Sequence, residues 1–248
     1  MSGADLIVLG QVGKRFDHDR NKQESMRQRF IRAIQRVPRE LEPGEFTIAD
    51  VSLRVAPAET IAIMGNNGAG KSTLLRLMAG IYQPSTGRVS STGRTASVLE
   101  LGAGFHKELS GEDNLAMYAA ALGLSRIEFE ERAEDMVSFA DIGDVLHKPI
   151  KHYSTGMQAR LAMAVALCGI FDVILLDEAL AVGDRSFREK VEERVQKYIA
   201  DGGSVVLASH SLDFLHRVCT RALWLSHGRI KADGPVETIV DEYKSTKA

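Results

Sequence analysis

Cysteine is nearly absent from this 248-residue chain: Cys168 and Cys219 are the only two, they lack metal-ligand spacing, and each sits among apolar residues. That excludes a disulfide framework and a cysteine metal site, and the pair reads as small buried hydrophobes in a reducing compartment. Long apolar runs are missing as well. Runs such as Val173–Leu176 and Val205–Ala208 are strand-sized, and none in the chain approaches the roughly 20 residues a membrane-spanning helix needs, so the chain is not itself a channel. Met1–Gly10 has neither a basic n-region nor a long apolar core and does not read as a secretory signal, so a cytoplasmic chain is expected. Charge of one sign is not in excess either: 31 Lys and Arg stand against 33 Asp and Glu, a formal net charge of −2, which argues against nucleic acid as a partner. No internal repeat or low-complexity stretch is visible, excluding a solenoid and a fused tandem pair of domains.

What is present is ordinary for a globular domain: 44% apolar and 26% charged residues, at a length that suits one α/β domain over 1–248 with a helical insertion. From about residue 60, short β-rich runs alternate with amphipathic helices, the pattern of a mostly parallel sheet covered on both faces. Ile61–Met64, Val173–Leu176, Val205–Ala208 and Ala222–Leu225 are the clearest strands. Ser125 with Glu128, and Ser186 with Glu189, each spell a capping box and so predict helix starts. In the second helix Phe187, Val191 and Val195 fall on one face, and Gly202-Gly203 stops it. The stretch from about 102 to 165 carries mainly helical patterns and reads as a helical subdomain inserted in the α/β core.

Residues 17–45 break this regularity. Arg20, Lys22, Arg27, Arg29, Arg32, Arg36 and Arg39 interleave with Met26, Phe30, Ile34 and Val37, a basic amphipathic helix. Two readings stand: a surface helix packed on its own domain, or a segment lying near anionic headgroups or docking on a membrane subunit.

The chemistry is carried by a few short segments. Gly65-Asn66-Asn67-Gly68-Ala69-Gly70-Lys71-Ser72 follows a predicted strand and opens a helical run from Thr73 to Ala79, which satisfies the phosphate-binding P-loop pattern in its required context. Glycines let successive N–H groups face phosphate oxygens, and the helix N-terminus adds a favourable dipole. Lys71 is expected to reach the β- and γ-phosphates of ATP and Ser72 to ligate Mg²⁺, with Thr73 completing the phosphate-binding turn. Downstream, Val173–Leu176 ends in Asp177-Glu178, two carboxylates at the C-terminal end of a buried strand, where open α/β sheets bind ligands. Asp177 is the natural Mg²⁺ carboxylate, direct or through water, and Glu178 the candidate general base. His210 follows the strand Val205–Ala208 and can donate to the γ-phosphate at the same sheet edge.

Between these motifs lies Tyr153-Ser154-Thr155-Gly156-Met157-Gln158-Ala159-Arg160, which resembles the signature segment of ABC ATPases, usually written LSGGQ. The resemblance spans essentially the whole chain, from Phe16, placed like the aromatic residue that stacks on adenine, to His210, placed like the switch histidine. Asp184 matches the aspartate of that family's D-loop. The fold implied is a P-loop NTPase (RecA-like) core with an inserted helical subdomain and an antiparallel β portion. The resemblance further implies a homodimer of cassettes sandwiching two ATP, in which Ser154, Thr155, Gly156 and Met157 of one copy close on the nucleotide held by Lys71 of the other. It also implies two copies of a separate transmembrane permease, which would place the chain on the cytoplasmic face of the membrane.

Two departures narrow the resemblance. The signature reads YSTGM, and Glu100 stands where a Q-loop glutamine is expected. A carboxylate can keep the Mg²⁺ role of that glutamine but not its donation to water. Together with Leu180–Asp184, these look like the ATPases that export lipid-linked polysaccharide: O-antigen, capsule or teichoic acid. The basic insertion also resembles that subfamily. The carbohydrate-binding module that follows some O-antigen cassettes is not expected here. Importer or drug-exporter cassettes would carry an ordinary Q-loop and LSGGQ, and ABC ATPases acting on DNA or ribosomes carry long coiled coils or paired cassettes.

Overall fold

A computed structural model describes residues 4–16, 46–99, 102, 104–177, 184–209 and 211–247. The basic stretch 17–45 lies outside the described residues. The described strands are β1 (Ile7–Arg15), β2 (Phe46–Val55), β3 (Thr60–Met64), β4 (Thr86–Ser91), β5 (Thr95–Val98), β6 (Val173–Asp177), β7 (Ser204–Ala208), β8 (Arg221–Ser226) and β9 (Arg229–Pro235). The helices are α1 (Lys71–Met78), α2 (Gly111–Ala121), α3 (Arg126–Ala140), α4 (Thr155–Cys168), α5 (Arg185–Ala200), α6 (Leu212–Val218) and α7 (Val236–Lys247).

Six strands form one sheet in the order β5-β6-β7-β3-β8-β9, parallel except for β9, which runs antiparallel to β8. The central strands β3 and β7 are buried at every position, as both-face coverage demands, and this is why they read as unbroken apolar runs. Alternation is still written into them. Ile61, Ile63, Val173, Leu175, Val206, Leu223 and Leu225 point into a core shared with α1, β1 and β2. Their neighbours Ala62, Met64, Ile174, Leu176, Val205, Leu207 and Trp224 point the other way, into a core built with α2 to α7. β2, β1 and β4 make a separate three-stranded antiparallel sheet on the first face. The α/β core and the antiparallel portion expected from the sequence are both present.

The helical portion is α2, α3 and α4, within the expected 102–165 region apart from the last turn of α4. From Leu161 to Cys168 every residue of α4 is buried, so this helix is apolar all round and forms the centre of that lobe. Ser125 and Glu128 form the reciprocal capping box at the start of α3. The second expected start is corrected by two residues: the N-cap of α5 is Asp184, whose carboxylate accepts from the Phe187 N–H at 2.9 Å. Ser186 lies inside the helix, and Glu189 pairs with Arg185 instead. An aspartate at this position both caps the helix and opposes the positive end of its dipole. Cys168 and Cys219 are buried, and burial pushes both thiols up to about 12, as befits inert core residues.

Candidate functional site

The turn between β3 and α1 is shaped by its glycines. Gly70 has φ +105°, and a Cβ there would come within 2.7 Å of Ile48 and 2.9 Å of the Thr47 carbonyl, so only glycine lets the turn tuck against β2. Gly70 is also the N-cap of α1, and no side chain caps it. By contrast α2, α3, α4, α5 and α6 are capped by Ser110, Ser125, Ser154, Asp184 and Ser211. The first N–H groups of α1 are therefore left to an outside acceptor, at the positive end of the helix.

A cavity of about 450 Å³ opens at this end, lined by Thr47, Asn67, Gly68, Gly70, Lys71, Ser72, Thr73 and Asp177. Lys71 is 7% exposed, and its ammonium donates to the carbonyls of Gly65 at 3.0 Å and Asn66 at 3.3 Å. Both acceptors are neutral, so a buried cation faces the cavity with no carboxylate among these two bonds. Ala69 is buried and donates its N–H to the Asn66 carbonyl, closing the turn. Asp177 reaches the cavity because β6 runs parallel to its neighbours, so its C-terminal end meets the turn after β3. Ser72 and Asp177 supply two hard oxygen donors in one cavity, a set that suits Mg²⁺ beside a phosphate chain. The polar lining, the uncapped helix and the buried lysine suit a polyphosphate. Thr47 was not foreseen, since only the fold brings β2 against the P-loop.

Behind the turn, the Tyr243 hydroxyl on α7 donates to Asn66 Oδ1 at 3.3 Å, and the Tyr243 ring meets Trp224 edge-on at 5.3 Å. Phe16, at the end of β1, packs edge-to-face on Tyr82 at 5.2 Å, with the Lys14 ammonium 5.2 Å from the Phe16 ring and 5.5 Å from that of Tyr82. Glu178, His210 and Glu100 lie outside the described residues.

A second cavity of about 430 Å³ is lined by Asp141, Ile142, Ser154, Gly156, Met157, Arg160 and Asp184. It brings together three of the four expected signature residues and Asp184, the expected D-loop aspartate, and it shares no lining residue with the first. Thr155 is exposed on the first turn of α4. Ser154 caps that helix by accepting from the Met157 N–H at 3.2 Å, and its first turn holds no acid, so the helix end is neutral and electropositive. Asp184 is held below the usual carboxylate range, first by the Phe187 N–H and then by Arg160. Arg160 and Asp141 carry no role in the sequence pattern; they meet only once α3, α4 and α5 converge.

Comparison with known proteins agrees with this geometry. The family described as ABC transporter matches residues 48–181, more than half of the chain. The O-antigen export system ATP-binding protein RfbB of Klebsiella pneumoniae is 40% identical over 201 residues, covering 81% of this chain and 82% of that protein. The teichoic acids export ATP-binding protein TagH of Levilactobacillus brevis is 35% identical over 244 residues, 98% of this chain and 66% of that protein. Among solved structures, an ATP-binding subunit of an ABC transporter superposes with a TM-score of 0.77 at 23% identity, covering 98% of this chain and 95% of the other. A dimeric cassette in a post-hydrolysis state superposes at 0.71 and 20% identity, covering 93% and 98%; at these identities the likeness is one of fold. Motifs, fold and relatives converge: the chain belongs to the ABC transporter family.

Proposed function

We propose that this chain is the ATP-hydrolysing subunit of an exporter that moves lipid-linked polysaccharide, of the O-antigen, capsule or teichoic acid class, across the cytoplasmic membrane. The observation that carries this reading is the division of one chain into two separate half-sites. One is a P-loop cavity with a buried lysine, the other a cavity over the neutral N-terminus of α4. A half-site of each kind calls for a second copy of the chain. The polysaccharide class rests on relatives whose names state O-antigen and teichoic acid export.

On this reading Lys71 and the uncapped turn of α1 hold the phosphates of ATP, and Phe16 stacks on the adenine. Mg²⁺, held by Ser72 and Asp177 with Glu100 as a further donor, would neutralise charge on the phosphates. Glu178 takes the proton of the attacking water, and His210 donates to the γ-phosphate. Ser154, Thr155, Gly156 and Met157 of the partner copy close over the nucleotide, while Asp184 lies beside that contact. Binding energy is thereby spent on bringing two copies together, and loss of the γ-phosphate releases them.

Among the described residues no helix is long and apolar enough to cross a membrane, which fits a peripheral cassette working with two copies of a separate transmembrane permease. Deleting the gene should remove surface polysaccharide while lipid-linked polymer accumulates inside the cell, and restoring the chain should reverse both. Normal surface polysaccharide in the deletion strain would reject this substrate class.

A further inference from the structure

Arg160 is the sixth residue of α4 and is held by Asp184, Asp141 and the Phe187 ring. One guanidinium nitrogen donates to Asp184 Oδ2 at 2.7 Å, and another donates to the Asp141 carbonyl at 3.3 Å and lies 3.8 Å from Asp141 Oδ2. The planar group also stacks over the Phe187 ring at 4.5 Å. Its side chain is 17% exposed, whereas those of Asp184 and Asp141 are 63% and 71% exposed. An arginine fork suits this job, because its five donors sit in a fixed plane that can satisfy several acceptors while its face packs on an aromatic ring.

The residues of this cluster come from three elements. Asp141 is the C-cap of α3, in the left-handed conformation, where helix carbonyls favour a cation. Asp184 is the N-cap of α5. Arg160 itself belongs to the helix whose N-terminus carries Ser154, Gly156 and Met157. All of them line the same 430 Å³ cavity. One ion pair therefore ties the N-cap of α5 to the helix that forms this cavity.

Resting on the ATPase reading above, we infer that Arg160 is a positioning residue: coupled to Asp184 at the N-cap of α5 and to the end of α3, it holds in place the α4 face offered to the partner's nucleotide. The competing role for an arginine here is a finger reaching the partner's phosphate. Its charge is already shared between two carboxylates, and its plane is stacked, so its bonds fix posture and are not held in reserve.

The test is a double-mutant cycle in the full-length chain, in a Glu178→Gln background that slows turnover. Sedimentation at saturating Mg-ATP reads dimer affinity, and a fluorescent ATP analogue reads binding to the monomer. Arg160→Met and Asp184→Asn should each weaken the ATP-dependent dimer about tenfold, with monomer nucleotide affinity unchanged. The double variant should also lose about tenfold, not about a hundredfold. Arg160→Lys, which keeps the charge without the fork, should lose an intermediate amount, and it carries the test if Arg160→Met fails to fold. Multiplying effects, an unchanged dimer, or an equal loss of monomer affinity would each overturn the coupling, and so would a loss confined to Arg160 variants, which marks a finger. If the Glu178→Gln parent forms no ATP-dependent dimer, the ATPase reading fails and the inference goes with it.

Discussion

Lys71 donates its ammonium to the Gly65 carbonyl at 3.0 Å, so the cation of the β3–α1 turn is fixed by the turn that carries it. Replacing Lys71 by Ala removes both that tether and the charge a phosphate would meet. A hydrogen bond to a charged group is worth about 1.5–3 kcal/mol, so nucleotide affinity should fall by about 10- to 100-fold and export should stop. Titration with a fluorescent ATP analogue reads the affinity directly, and an unchanged value would remove Lys71 from phosphate binding.

Glu178→Gln should keep ATP binding and lower turnover by about 10²–10⁴-fold, the usual cost of losing a general base. The amide preserves shape but takes no proton. Phosphate release in the presence of the permease is the measurement; near-native turnover would take Glu178 out of the chemistry.

Trp224 is the sole tryptophan of the chain, and Tyr243 joins it to Asn66 of the β3–α1 turn. Nucleotide binding should therefore change tryptophan emission, and Tyr243→Phe should shrink that change while leaving the fold intact. An emission response equal in both proteins would mean that Tyr243 does not carry the signal.

Arg194 grips both oxygens of Asp135 at 2.7 Å, tying α5 to α3, and it holds that carboxyl below the usual range. A carboxyl lowered in the folded state contributes stability that is present above its unfolded pKa and is lost as pH falls through the folded value. The pair is partly exposed, so a contribution of about 1 kcal/mol or less is expected, worth about 2–4 °C at most in a chain of this size. Asp135→Asn should lower Tm by that amount near neutrality and narrow to no difference in acid. A difference that persists at pH 2 would assign the effect to packing.

The basic stretch Arg20–Arg39 carries seven cations and the single acid Glu24. If it meets an anionic headgroup or the pyrophosphate end of a lipid-linked substrate, each cation contributes about 1 kcal/mol. Replacing Arg27, Arg29 and Arg32 by Gln should then reduce export and its salt sensitivity, with basal ATPase preserved. Normal export by the triple variant would leave the stretch as a surface helix packed on its own domain.

The parts legible in the sequence are those whose determinants are contiguous. The P-loop pattern, the β3, β6, β7 and β8 runs and the Ser125–Glu128 box each sit within a few residues, so local chemistry decides them. The start of α5 is ambiguous in the sequence because Asp184 and Ser186 are both competent caps two residues apart. The choice is made by Arg160, 24 residues away in sequence, which pairs with the former. Thr47 and Asp141 are invisible for the same reason: β2 reaches the Lys71 cavity, and the end of α3 reaches the Ser154 cavity, only through long-range packing. No local pattern marks such residues.

The bare N-cap of α1 has a thermodynamic consequence. Where five other helices carry their own terminating side chain, this one carries none, and on the proposed reading a nucleotide that comes and goes completes it. Loading and consolidation of that end are then a single equilibrium, and a ligand at a hundred times its dissociation constant adds about 2.7 kcal/mol to the folded state. Amide exchange in the first turn of α1 should therefore slow with nucleotide concentration. The metabolic state of the cell is thereby written into the rigidity of one helix end.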